Sequence, residues 1–519
     1  MNWFKNFCLI SATFLALAKP ADSRLQYLRQ KHIYPMTFSQ FANEGLNGEN
    51  VKLVKVQQKG DLVKWITTVD NIPVFGSVVT THINKQGNVD RIEGYVPETL
   101  SKFSPIPALP GTEATDLLRI HWHHKGLTKV YWDDDEPKLY VLHGTDGVTK
   151  LVWRASYGVD WQDGVTPEAG YGPVPAYITG LVNAHTGKVE KTWNNLQTAA
   201  YIPAIVGNDN IGASLTDIEV IKHNHQCRHV DEDRRVKSYT LGNNRFFHPD
   251  ITVTDFICDW AKDKNWDLYN FTGGFSPRNE AFQHGVRFVD LWRKLVGDEI
   301  LPYRTDKSYL EFYVHYGYQT EEASFRDKFF IFGDGNKNYY PMTALDIVCH
   351  EIGHGVTAWH GGNMEYLGES GALNEAYSDM LGETCDMFYN NKKNYLLGED
   401  IMKPGKGEAI RDMCKPSRFG GLEHYKDYNA SVNVHKSSGI YNKAWCTLSK
   451  TKDWDYIKAF QIFTDANLLC WAEETTMHCG ACSVENVAVD IGLSKADVTA
   501  AFQVVGIDCS LCEMSLKYG

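Results

Sequence analysis

The stretch "DIVCHEIGHGVTAWHGG" (346–362) places His350 and His354 four apart, with Glu351 beside the first. On an α-helix, residues four apart lie on one face, so the two imidazoles can converge on one ion. Glu351 projects beside that face, where a carboxylate can take a proton from an attacking water. A zinc centre of this kind needs a third protein ligand and an open fourth position. "ESGALNEAYSDMLGE" (369–383) offers one: Ser370, Asn374 and Glu375 open an amphipathic stretch, with Glu375 21 residues after His354. Asp379 lies one turn beyond Glu375, so both carboxylates share a face. One can bind metal while the other holds a ligand histidine by its second nitrogen. Taken alone, the carboxylate pair would read as a solvated helix face.

These residues need a scaffold. A chain of 519 residues is too long for one core, and the length prior suggests about three or four domains. With 43% hydrophobic and 22% charged residues it reads as soluble and globular. A formal net charge of −12 argues against nucleic acid or an anionic membrane as partner. The acidic clusters "DDDE" (133–136) and "VDEDRR" (230–235) read as solvated surface. At the N-terminus, Lys5, the apolar run from Phe7 to Ala18 and the small-residue pattern Ala16-Leu17-Ala18 form a signal peptide. That run is too short to span a bilayer, and no later one reaches about 18 apolar residues. The expected location is therefore extracellular.

Residues 24 to about 198 carry alternating strand-like segments: "LVKWITTV", "IPVFGSVVTTHIN", "KLYVLHG" and "ITGLVNAHTGKVEKTWNNL" with "HTGK" as its turn. "QTAAYIPAIVGNDNIG" (197–212) reads as a linker or processing site. The next section mixes strands such as "YLEFYVHYGY" (309–318) with a helix, "NEAFQHGVRFVDLWRKLVG" (279–297). From Thr343 onward helical patterns dominate. Of 12 cysteines, Cys8 belongs to the signal and the other 11 all lie after residue 226. Export favours disulfides, although Cys479-x-x-Cys482 with Cys509-x-x-Cys512 could also make a four-thiolate zinc site. An odd count leaves at least one thiol free or paired between chains.

"GESGALNEAYSDMLGE" following HExxH closely resembles the thermolysin family of zinc metallopeptidases, particularly its pseudolysin/vibriolysin-like branch. Further matches keep the family's order: "FGDG" (332–335), "YYPMTALDIVCHEIGHG", "AIRDMCKPSR" (409–418), "VNVHKSSGIYNKAW" (432–445), "GACSVENVAVDIG" and "VTAAFQVVGIDC". The resemblance covers roughly residues 200 to 512. Upstream, "DNIPVFGSVVTTHINKQGNVDRIEGYVP" is similar to the fungalysin/thermolysin-type propeptide, and "AYITGLVNAHTGKVEKTWN" to the PepSY-like module that follows it.

The resemblance implies an α+β multidomain fold: signal 1–18, propeptide modules at 19–100 and 101–199, then a two-lobed catalytic domain. Its lobes are a mixed, β-rich 200–345 and an α-helical 346–519, with the active-site helix between them. It also implies a secreted endopeptidase made as a zymogen, monomeric, acting on proteins or peptides, with its own propeptide as inhibitor and folding aid. Zinc would be held by His350, His354 and Glu375, with Glu351 as general base. Tyr366 and His435 would stabilise the oxyanion, and Arg411 would grip a substrate carbonyl. Tyr339, Met342, Ile347, Leu397 and Ile410 would line an apolar pocket for a hydrophobic residue just after the scissile bond. One calcium would be held by Asp346, Glu383, Asp386 and the Leu396 carbonyl. By the same resemblance, Cys227 pairs with Cys258 and Cys482 with Cys509, while Cys479–Cys512 braces the latter. Cys385, Cys414, Cys446 and Cys470 supply two more bridges, leaving Cys349 as the candidate free thiol. Sequons stand at Asn270 and Asn429.

Four positions depart from the family pattern. The interval from His354 to Glu375 is one residue longer than usual, a difference that the turn-like "AWHGGNM" (358–364) can absorb. Asn433 stands where the branch has an aspartate; it can orient the His435 ring but cannot stabilise imidazolium by charge, which predicts a pH optimum nearer acid. Glu322, beside the retained Ala323, replaces an asparagine that binds substrate backbone, and an ionised carboxylate only accepts hydrogen bonds. This predicts a bias against acidic residues nearby. Asn394 replaces a calcium-site aspartate and should weaken that site. A zinc aminopeptidase and a catalytically dead, zinc-stabilised binding protein are the competing readings.

Overall fold

The structure is a computed structural model that describes residues 25–37, 51–84, 88–97, 102–123, 129–132, 136–143, 148–160, 176–194, 197–198, 221–223, 226–231, 233–243, 255–257, 277–297, 309–326 and 328–512. The signal at 1–18, most of the 197–212 linker, Cys258 and the Asn270 sequon lie outside these residues. Asn429 is exposed.

The alternating segments of the first 194 residues form a ten-stranded sheet. Its main order is Leu25–Thr37, Asn88–Pro97, Ile72–Ile83, Lys138–His143, Thr149–Asp160, Ala176–Asn183, Val189–Asn194. One parallel bridge, Val74 to Val141, joins the strands before residue 97 to those after 129. Helix α1 (Gly111–His123) packs Ala114 and Leu118 against Ala155, Tyr157, Ile178 and Val182. Alternation in Leu62–Val69 predicts a half-buried strand, yet seven of its eight residues are buried. The polar face is covered because it meets the helical region: Lys64 Nζ donates to the carbonyls of Gly361 (2.9 Å) and Leu468 (3.1 Å).

A six-stranded mixed sheet follows. Its parallel centre is Val236–Thr240, Leu310–Val314 and Phe329–Phe332, flanked by antiparallel Val230–Asp231 and Ala323–Arg326. Gln197–Thr198 adds antiparallel to the outer side of Ala323–Arg326. Helix α2 (Pro277–Leu295) buries Phe282, Phe288 and Trp292 in the core that holds Phe312, Phe330 and Phe332.

From residue 345 the chain is helical: α3 (Leu345–Trp359), α4 (Gly368–Tyr389), α5 (Val434–Ser437), α6 (Gly439–Ser449), α7 (Tyr456–Leu469), α8 (Met477–Asp490) and α9 (Lys495–Val504). The side chains of Asp455, Thr476 and Ser494 cap α7, α8 and α9 by accepting backbone N–H bonds. Helices α3 and α4 run antiparallel, and glycine lets them meet closely. A Cβ on Gly353 would fall 2.7 Å from the Ser378 Cα, and one on Gly382 2.5 Å from the Asp346 carbonyl oxygen. The segment after Trp359 that holds the "HGGNM" residues is non-helical.

The disulfides correct one expectation. Cys349 is bridged to Cys385, and Cys414 to Cys446, so Cys349 is not the free thiol. With Gly353 opposite Ser378, antiparallel packing sets Cys349, one turn earlier on α3, against Cys385, two turns later on α4. Among the described residues the free cysteine is Cys470, buried at the end of α7. Cys479–Cys512 and Cys482–Cys509 form as expected, which removes the four-thiolate alternative.

Candidate metal centre and active site

Helix α3 is buried over nearly its whole length, and its middle turn carries His350, Glu351 and His354, none of them exposed. The His350 and His354 Nε2 atoms are 3.0 Å apart. Glu375, on the facing turn of α4, brings Oε1 to 3.3 Å from His354 Nε2 and Oε2 to 3.8 Å from His350 Nε2. Among the described residues this is the group whose three ligand atoms lie within 4.8 Å of one another. Zinc bonds of about 2.0–2.2 Å in tetrahedral geometry separate ligand atoms by roughly 3.4 Å, so the donor set fits one zinc ion.

The far nitrogens are also held. His350 Nδ1 lies 2.8 Å from Asp379 Oδ1, and His354 Nδ1 lies 2.7 Å from Asn374 Oδ1 and 3.0 Å from Ser378 Oγ. These contacts leave each Nε2 facing the centre. Burial, helped by the neighbouring His354 and opposed by Asp379, pushes His350 down to about 4, so it stays neutral and able to ligate. Burial would raise the Glu375 carboxyl, but the His435 and His354 imidazoles outweigh it and hold the group well below its usual range. Asp379 is likewise held low, against burial, by Arg411 and His350.

Tyr366 Oη donates to Glu375 Oε1 and lies 3.0 Å from His435 Nε2, which is itself 3.4 Å from that carboxylate oxygen. Tyrosine and histidine therefore converge on the ligand side of the triad. Asn433 caps α5, and its Oδ1 accepts from both the backbone N (2.9 Å) and ring Nδ1 (2.8 Å) of His435. Nδ1 thus carries a proton, and Nε2 can donate only when the ring is doubly protonated. Arg411 Nη2 lies 2.6 Å from Asp379 Oδ1, a contact that spacing did not reveal. Asn442, also missed, donates to Asp379 Oδ2 at 2.8 Å. The signal for Ser378 was present: it lies four residues after Asn374, on the same helix face.

Ala323 and Glu322 lie in and just before the Ala323–Arg326 strand, which packs against α3. Tyr339, Met342, Ile347, Leu397 and Ile410 are all buried in the main core. At the other end of the α3–α4 pair, Asp346, Glu383, Asp386 and Leu396 are buried together. Burial and then the neighbouring carboxylates push Asp346 up to about 8 and Glu383 well above its usual range. Asp386 rises to about 6, mainly through burial. Among the described residues Glu383 Oε1 has no hydrogen-bond partner, which fits a cation in this cluster. Asn394 instead donates to Glu399 at 2.6 Å, and Lys392 pairs with Asp400 (2.5 Å) and Glu399 (3.0 Å).

Residues 205–358 match the catalytic domain of thermolysin metallopeptidases, and residues 362–507 match their α-helical domain, together more than half of the chain. The chain belongs to the thermolysin family of zinc metallopeptidases. The neutral protease of Vibrio proteolyticus is 27% identical over 86% of this chain and 71% of its own length. The zinc metalloproteinase MspA of Legionella longbeachae is 35% identical over 65% of this chain and 66% of its own. The thermolysin of Alicyclobacillus acidocaldarius is 27% identical over 73% and 69%. Among solved structures, the precursor of protealysin from Serratia proteamaculans gives a TM-score of 0.44 at 23% identity, covering 52% of this chain and 86% of that one. The family's sheet-rich and helical lobes meet here at α3, and this thermolysin-family member is a zinc-dependent endopeptidase. No helix among the described residues is long and apolar enough to cross a membrane.

Proposed function

We propose that the protein is a secreted zymogen whose mature form cuts peptide bonds on the N-terminal side of hydrophobic residues, with Glu351 as general base. The observation that carries this reading is the buried donor triad with both histidine Nδ1 atoms anchored and Glu351 one residue along the same helix. His350, His354 and Glu375 would hold zinc, which would supply an acidified water and polarise the scissile carbonyl. Glu351 accepts the proton of the attacking water and returns it to the leaving amine. Tyr366 and His435 donate to the oxygen that gains charge. Arg411, anchored on Asp379, would grip a substrate carbonyl with its planar fork. The apolar set Tyr339, Met342, Ile347, Leu397 and Ile410 favours a hydrophobic guest, and Asp346, Glu383, Asp386 and the Leu396 carbonyl would hold a calcium ion that braces the helix pair.

Support for the zymogen comes from the sheet of the first 194 residues, which docks on the helical lobe through charge. Lys191 pairs with Glu365 (2.7 Å) and Glu474 (2.5 Å), Lys59 with Asp465 (2.5 Å), and Arg91 with Asp490. Gln197–Thr198 also lies on the Ala323–Arg326 strand, where an extended substrate would add. The signal-like N-terminus and four disulfides support export. The test is hydrolysis of a blocked peptide with Phe or Leu after the scissile bond. Matured wild type should cleave it; the chelated enzyme and Glu351→Ala should not. No cleavage by zinc-loaded, matured wild type would leave a metal-stabilised binding protein as the better reading.

A further inference from the structure

Residues 322, 324 and 326 share one side of the Ala323–Arg326 strand, and all three are polar, while 323 and 325 face the core. Phe325 stands edge-on to Trp359 of α3, 5.4 Å between ring centres. On the polar side, Arg326 Nη2 lies 2.8 Å from Glu322 Oε1, and Ser324 Oγ donates to the same oxygen at 3.2 Å. Arg326 Nε donates in turn to Ser324 Oγ at 3.4 Å. Four residues of extended chain span roughly 13 Å, so both long side chains must lie along the strand to meet. The guanidinium is packed 4.9 Å from the centre of the Tyr316 ring. Only 1% of the Arg326 side chain is exposed, against 17% for Glu322. The cation is thus built into the protein, and the anion sits at the rim.

Glu322 directly precedes the strand whose edge accepts an extended chain. One edge of the strand is paired with Phe329–Phe332, and the other takes Gln197–Thr198 by antiparallel addition. The strand also packs against α3, which carries His350, Glu351 and His354. An unpaired carboxylate at this rim would attract basic and repel acidic substrate residues. Clamped by Arg326, it presents no net charge.

We propose that Arg326 is a specificity-determining residue: its guanidinium neutralises Glu322 at the edge of the cleft, so that the enzyme tolerates acidic and basic residues alike beside its hydrophobic guest. This inference rests on the endopeptidase reading above. It replaces the bias against acidic residues that Glu322 alone predicts.

The test uses blocked peptides with one hydrophobic residue after the scissile bond and a single Lys, Gln or Glu at each position within two residues of it. The readout is the Lys/Glu ratio of kcat/KM, which a loss of folded enzyme does not move. Wild type should give a ratio within about twofold of unity, and Arg326→Gln should raise it about three- to tenfold at one or more positions. The double variant with Glu322→Gln should bring the ratio back. If Arg326→Gln does not fold, Glu322→Gln alone carries the test: it removes the carboxylate that balances the guanidinium and should shift the ratio toward Glu. Ratios unchanged in the folded variants of an active enzyme overturn this inference alone. A matured, zinc-loaded wild type that cleaves none of the peptides overturns the endopeptidase reading and this inference with it.

Discussion

Helices α3 and α4 carry two clusters of ionisable groups, one in the middle of α3 and one at its start, and the two are balanced differently. Around Glu375 the charged groups have opposite partners: Asp379 meets Arg411 and His350, and Glu375 meets Tyr366 and faces both ligand histidines. At the other end, buried Asp346, Glu383 and Asp386 face one another. The negative end of the α4 dipole adds to that repulsion. The first cluster holds its ligands in place through neutral and paired contacts. In the second, Lys392 acts on Asp346 and Asp386 but is itself paired with Asp400 and Glu399, and a bound cation would supply the remaining positive charge.

The largest effect that separates the two clusters is chemical. Glu351→Ala should lower peptide hydrolysis by about 10³-fold with bound zinc unchanged, whereas Glu383→Gln should leave per-molecule activity within a few-fold when calcium is saturating. Steady-state kinetics with metal analysis checks both, and equal losses would erase the distinction. Next, Asp379→Ala should weaken zinc binding about 10- to 100-fold by releasing His350, as read by competition with a chelating dye.

A smaller effect concerns stability and pH. Without a cation, the raised Asp346 and Asp386 pKa values mean that the folded protein binds more protons than the unfolded chain. Stability is therefore lost as pH rises from the ordinary carboxylate range toward about 8. Calcium added to depleted, zinc-loaded protein should raise Tm by about 5 °C at pH 8 and by less at pH 6. An equal rise at both values would mean that these carboxylates are not what calcium relieves. The smallest effect is at His435. Asn433→Asp should hold its second proton to higher pH and move the alkaline limb of the kcat/KM profile upward by about one pH unit.

The donor triad was legible because much of its geometry is local: four residues along a helix fix the relation of His350 to His354 and of Glu375 to Asp379. The strand ladders before residue 194 were legible for a similar reason, since alternation marks them even where both faces end up buried. Contacts set by tertiary packing were not. Cys349 adjoins a ligand in sequence and so resembled a special thiol, but its partner Cys385 is found only once α3 and α4 are laid antiparallel. Arg411 lies 32 residues beyond Asp379, between α4 and α5, and nothing in its spacing assigns it that carboxylate. The Glu322 substitution was visible at once, whereas its neutralisation by Arg326 depends on two side chains leaning toward each other along a strand.

The most direct test of the central claim is the zinc content of matured wild type beside that of Glu375→Gln and Glu383→Gln, purified identically with calcium present. About one zinc per chain is expected in wild type and in Glu383→Gln, with most of it lost from Glu375→Gln. Full zinc in Glu375→Gln, or its loss from Glu383→Gln alone, would contradict the assignment of the catalytic metal to the middle of α3.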